Sequence, residues 1–72
     1  MNTLKIPKDR VGVLIGKNGS IKRLIEKSTE TKIIVDKEGS VIIEGEGVNI
    51  YNANTVIKAI GRGFNPETAL TL

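Results

Sequence analysis

Neither cysteine nor histidine occurs among the 72 residues of this chain. That excludes disulfide stapling, thiolate zinc sites, cysteine nucleophiles and histidine general bases. The remaining serines, threonines and carboxylates stand without supporting partners, so no catalytic residue, metal site or cofactor is expected and the chain does not read as an enzyme. Aromatic rings are almost as scarce, with Tyr51 and Phe64 the only two. Folds that hold bases by stacking them on aromatic platforms therefore cannot be built from this sequence. No apolar run approaches the ~20 residues of a membrane span, and Met1-Asn2-Thr3-Leu4-Lys5 lacks a signal-peptide pattern. A soluble, cytoplasmic protein is expected, and at this length it is one small domain.

The net charge of +3 is modest but unevenly spread. Residues 1–36 carry eight Lys/Arg against four Asp/Glu, and residues 37–72 carry three against four. The excess gathers around Gly16 to Gly19, and a basic stripe beside glycines suggests a polyanionic ligand. Lys5, Lys27 and Lys58 are adequately explained as solvated helix or strand faces; for Lys8 and Arg10 that reading and a ligand contact stand level. Position favours a ligand role for Lys17 and Lys22.

The most informative stretch is Ile15-Gly16-Lys17-Asn18-Gly19-Ser20. Two glycines three apart sit between an apolar run and a basic amphipathic segment, the makings of a phosphate cradle. Glycine lets the backbone turn at positive φ and admits a polyanion without a Cβ in the way, while a helix starting near Gly19 points N–H groups at the same spot. A β-hairpin turning at Lys17-Asn18-Gly19-Ser20 is a rival, since Asn-Gly is a strong hairpin signal. Against it, Ile21, Leu24, Ile25 and Ser28 recur at helical spacing, with Lys22, Arg23, Glu26 and Lys27 between them. A nucleotide-binding P-loop fails because the Gly12 to Gly16-Lys17 spacing is one residue short and Asn18 replaces the required hydroxyl.

Along the chain, Thr3-Leu4-Lys5-Ile6 alternates like a short strand and stops at Pro7. A short helix fits Asp9 or Arg10 to Ile15, and a second runs from about Ser20 to Ser28. Lys32 to Asp36 and Ser40 to Glu44 read as two strands of a hairpin closed by Lys37-Glu38-Gly39. A third helix begins near Asn49, a plausible N-cap, carries Ile50, Ala53, Val56, Ile57 and Ile60 on its apolar face, and ends near Gly61. Because Thr29 is followed by Glu30 rather than glycine, a left-handed cap is not expected at the end of the second helix.

The run Ile6-Pro7-Lys8-Asp9-Arg10-Val11-Gly12-Val13-Leu14-Ile15-Gly16-Lys17-Asn18-Gly19 resembles the I-P-x-x-x-V-G-x-[IL]-I-G-x-x-G core of KH-domain RNA-binding modules. The resemblance covers residues 4 to about 62. It implies an α+β type I KH fold, βααββα, with three helices on one face of a three-stranded antiparallel sheet. It also fits the scarcity of rings, since a KH groove clamps about four nucleotides of backbone through its GXXG loop. By this resemblance Gly16, Lys17, Asn18 and Gly19 hold phosphates, and Gly12, Val13 and Ile15 form one apolar wall. Ile21 is a candidate floor, or simply core. Lys22 stands where many KH domains have a large apolar residue and is expected to face RNA. On the second strand Lys32 and Ile34 are expected to meet the bases, while Ile33 and Val35 turn toward the helices.

Beyond the domain, Gly61-Arg62-Gly63-Phe64 with Ala69-Leu70 resembles the G-R-G-F-x-x-x-x-A-L segment that follows a KH domain in partner-of-Nob proteins of small-subunit ribosomal RNA maturation. These proteins carry two KH domains in tandem. The resemblance implies a KH domain at 1–62, a connector at 63–72 toward a second KH domain, and single-stranded RNA, a small-subunit ribosomal RNA precursor, as ligand. rRNA-processing or translation-initiation proteins are further expected partners, and a KH-fold module that docks such proteins is the alternative reading. Phe64 is expected to pack back on the third helix.

Overall fold

The computed structural model describes residues 2–70. Strand β1 (Asn2–Lys5) leads through a 3-10 turn at Lys8–Arg10 into helix α1 (Val11–Ile15). A second 3-10 turn at Lys17–Gly19 opens helix α2 (Ser20–Thr29), which is followed by strands β2 (Lys32–Val35) and β3 (Ser40–Glu44), helix α3 (Gly47–Gly61) and helix α4 (Pro66–Leu70). The sheet is antiparallel with order β1-β3-β2, Leu4 opposite Val41 and Ile33 opposite Ile43. This is the expected βααββα arrangement, with α4 added at the end.

The two-residue period of the strands separates their faces. Ile33, Val41 and Ile43 point inward and are buried with Leu14 and Ile25 from the first two helices and Ile57 and Ile60 from α3. Burying a side chain of this size contributes about 1.5–3 kcal/mol relative to leaving it in water. Several such groups in one contiguous cluster let a short chain close a core without cysteine. Among the described residues no helix is long and apolar enough to cross a membrane.

Two boundaries differ from the sequence expectation. Helix α2 does end in a left-handed cap, placed on Glu30 (φ 54°, ψ 46°) rather than on a glycine. The N–H groups of Glu30 and Thr31 both reach the Glu26 carbonyl, closing the last turn so that β2 can double back beside α2. Helix α3 starts at Gly47, not Asn49, with Glu46 as its cap residue. Its first turn exposes Val48 to 72%, so no apolar periodicity marks that turn in the sequence.

The segment after α3 carries the short helix α4 (Pro66–Leu70). Asn65 caps α4 by accepting the Thr68 N–H at 2.8 Å through Oδ1, and Pro66 supplies the first helical residue, where its missing N–H costs nothing. Ala69 is fully buried and belongs to the same core as α3. Phe64, expected to be the anchor, remains 48% exposed; the small Ala69 side chain lets α4 approach closely and takes that role.

Candidate nucleic-acid interface

The loop between α1 and α2 has three left-handed residues in four positions: Gly16 (φ 74°), Asn18 (φ 55°) and Gly19 (φ 76°). At Gly16 a Cβ would run into the Ile21 side chain, so glycine is required both for the turn and for the packing of Ile21 beneath it. At Gly19 a Cβ would stand 3.2 Å from Nη1 of Arg23, whose guanidinium therefore lies across this end of the loop. The loop's own hydrogen bonds use the N–H groups of Gly16, bonded to the Gly12 carbonyl at 2.9 Å, of Gly19, bonded to Gly16 at 3.3 Å, and of Ser20, bonded to Lys17. The amides of Lys17 and Asn18 lie outside that set, and both residues are exposed. Successive amides in such a turn, next to lysine and arginine, make a concavity suited to an anion.

Helix α1 supplies the neighbouring wall. Val11 and Leu14 are buried, whereas Val13 and Ile15 are partly buried against the core. Gly12 is exposed, and a Cβ there would meet nothing within 4 Å. The fold gives no steric reason for glycine at that place in a helix.

Across from α2 runs the free edge of β2, since β2 pairs only with β3. Asp36 donates its N–H to the Ser40 carbonyl at 3.0 Å, while the Ile33 N–H, three residues earlier, points the other way and reaches Oε2 of Glu26 at 2.7 Å. Alternation along an antiparallel strand therefore turns the main-chain groups of Ile33 and Val35 toward α2. Lys22, one helical turn before Glu26, lies 3.5 Å from the same carboxylate oxygen. The glycine loop, α2 and the β2 edge thus adjoin one another, and the surface they frame is the candidate binding cleft.

The structure brings Gly16, Lys17, Asn18, Gly19, Ile21 and Lys22 together along one continuous loop and helix start. Lys32 and Ile34 are exposed, Ile34 to 44%, and lie on the sheet face opposite to buried Ile33. They border the cleft over the rim of β2 rather than from its interior. Lys8 and Arg10 have intramolecular partners: Lys8 pairs with Glu38 at 2.9 Å, and Arg10 donates to the carbonyls of Ile60 and Phe64. Two residues of the cleft escaped the sequence reading. Arg23 sits at i+4 from Gly19, the spacing at which a helical side chain returns to the same face. Glu26 carried no local signal, because its partner on β2 becomes a neighbour only after the left-handed turn at Glu30.

This order of elements and this loop define a nucleic-acid-binding fold of the KH type. The KH domain family profile matches residues 2–59, and the chain belongs to that family. It is 51% identical to the KH domain-containing protein MJ0443 of Methanocaldococcus jannaschii over 96% of this chain and 33% of that protein. The crystal structure of Dim2p from Pyrococcus horikoshii superposes with a TM-score of 0.94 at 45% identity, covering 97% of this chain and 46% of that one. A structure of the a/eIF2alpha-aDim2p-rRNA complex from the same organism matches with a TM-score of 0.91 at 46% identity, over 97% of this chain and 43% of the matched chain. The chain thus spans a third to a half of the length of these relatives. Its likeness to Dim2p meets the expectation drawn from the segment Gly61 to Leu70.

Proposed function

We propose that this chain binds single-stranded RNA, with phosphates held at the Gly16–Gly19 loop and bases laid along the cleft between α2 and the β2 edge. The observation that carries the reading is the loop: an exposed, left-handed turn whose Lys17 and Asn18 amides are not used internally, with Lys17 and Arg23 beside them. Lys22 extends the basic wall. Gly12, Val13 and Ile15 form the apolar one, Ile21 supports the loop from below, and Lys32 and Ile34 form the outer rim.

The biological setting we assign is small-subunit ribosomal RNA maturation. The presence of rRNA in the aDim2p complex supports this assignment. In a longer protein, residues 63–72 would lead from this domain toward a second KH domain, starting from the α4 contact with the core. The same complex contains a/eIF2alpha, which favours a second, compatible reading in which the domain also docks a translation factor.

Titration of short single-stranded RNA at a series of ionic strengths tests the main reading. Affinity should fall steeply, with a log–log slope of about −0.7 for each phosphate held. Joining a second KH domain should raise affinity strongly by effective concentration. Salt-independent binding would remove the phosphate cradle from the account.

A further inference from the structure

Glu26 is the one carboxylate in a cleft wall otherwise carrying Lys17, Lys22 and Arg23. It stands seven residues beyond Gly19 on α2, about 10 Å along the helix axis, and is thus removed from the phosphate cradle. Its side chain is 21% exposed. Oε2 accepts the Ile33 N–H at 2.7 Å and faces Lys22 at 3.5 Å. Oε1 has no hydrogen-bond partner among the described residues.

This arrangement changes what the β2 edge offers a base. An uncovered strand edge presents main-chain donors and acceptors alternately, and the Ile33 N–H would be a donor for a base carbonyl. Glu26 consumes that donor and puts a charged acceptor in its place. A carboxylate accepts only, and hydrogen bonds to a charged partner are roughly twice as strong as neutral ones. From this geometry we infer that Glu26 is a specificity-determining residue that selects RNA bases bearing an exocyclic amino group and disfavours uracil. The inference rests on the RNA-binding reading above.

The amino group of cytosine or adenine projects from the ring edge and can donate to Oε1 while the rest of the base stays in the cleft. Uracil offers only a recessed ring N–H between two carbonyl oxygens, and those oxygens face the carboxylate with like charge. Lys22 does not cancel the effect, because its ammonium, 3.5 Å from Oε2, is at the outer limit of a hydrogen bond and its side chain is 31% exposed, so that it can turn to a phosphate. Discrimination of about tenfold is expected, corresponding to one charge-assisted hydrogen bond gained or lost.

The test compares the 72-residue chain with Glu26→Gln on oligocytidylate and oligouridylate of equal length. The glutamine carbonyl can still accept the Ile33 N–H, which would leave its amide NH2 facing the cleft as a donor. The wild type should prefer cytosine about tenfold, and Glu26→Gln should abolish or invert that preference. A wild-type control needs no variant: replacing the cytosine 4-amino group by hydrogen should cost about the same factor. Loss of a negative charge alone would raise affinity for both oligonucleotides equally. A cytosine preference that is absent, or equal in both proteins, overturns the inference while leaving RNA binding intact. Failure to bind either oligonucleotide removes the RNA-binding reading and the inference with it.

Discussion

Arg10 reaches across 54 positions of sequence to donate from Nη2 to the carbonyl of Phe64 at 2.9 Å, while its Nε donates to Ile60 at 2.8 Å. The first contact holds the entrance to α4 and the second adds to a carbonyl in the last turn of α3 that also accepts the Gly63 N–H, where a positive charge complements the helix dipole. Because Arg10 immediately precedes α1, the same side chain ties the tail to the helix that begins the binding loop. A residue whose charge invited a phosphate reading is thus a tie between the two ends of the domain.

Arg10→Ala should therefore destabilise the fold by about 2 kcal/mol, the scale of losing one part-buried and one exposed charge-assisted hydrogen bond. Urea midpoints measure this. The salt slope of RNA binding should not change, since no phosphate contact is removed; a slope reduced by about one unit would show that Arg10 touches the ligand instead. Phe64→Ala, by contrast, should cost less than about 1 kcal/mol, because the ring is already half in water.

Gly12 gives the clearest separation of stability from binding. It lies inside α1 with open space where a Cβ would go, and glycine within a helix costs roughly 0.5–1 kcal/mol relative to alanine. Gly12→Ala should raise the melting temperature. RNA affinity should fall at the same time if a nucleotide approaches the α1 backbone at this point. A variant that is both more stable and equally tight in binding would take Gly12 out of the site.

At the other end of α2, Glu30 holds a left-handed conformation that costs a residue with a Cβ about 1 kcal/mol. Glu30→Gly should recover roughly that amount without touching the loop. Its exposed side chain is in no hydrogen bond or ion pair among the described residues, so RNA affinity should stay within experimental error. A destabilised Glu30→Gly protein would mean that the carboxylate has a role in the unfolded or folded state beyond this cap.

Strand alternation, the helical period of α2 and the two glycines were legible in the sequence because each is a local pattern. They located the sheet, the inward face of β2, and the cradle. What remained hidden depends on chain reversal or on tertiary contact. Glu30 adopts a glycine-like turn because β2 must return beside α2, and Glu26 meets Ile33 only as a consequence of that turn. Arg10 finds its carbonyls only when α3 has packed. The Asn65-Pro66 start of α4 was a local signal, but five residues of helix have no periodicity to make it stand out, and the segment read as a connector.

Lys17→Asp combined with Asn18→Asp addresses the cradle directly. The two side chains are exposed, and aspartate tolerates the left-handed conformation of position 18 nearly as well as asparagine. Stability should therefore move by no more than about 0.5 kcal/mol, and carboxylates near the start of α2 even gain slightly from its dipole. Binding should respond very differently. Two negative charges would stand within a few ångströms of the phosphate position, and their oxygens would compete for the loop amides. Arg23 cannot restore the field alone, because its one charge faces two. Circular dichroism and melting curves should match the wild type while RNA affinity is lost. Survival of both the fold and the affinity would make the glycine loop a structural turn only, and would move the RNA site, if there is one, away from Gly16 to Gly19.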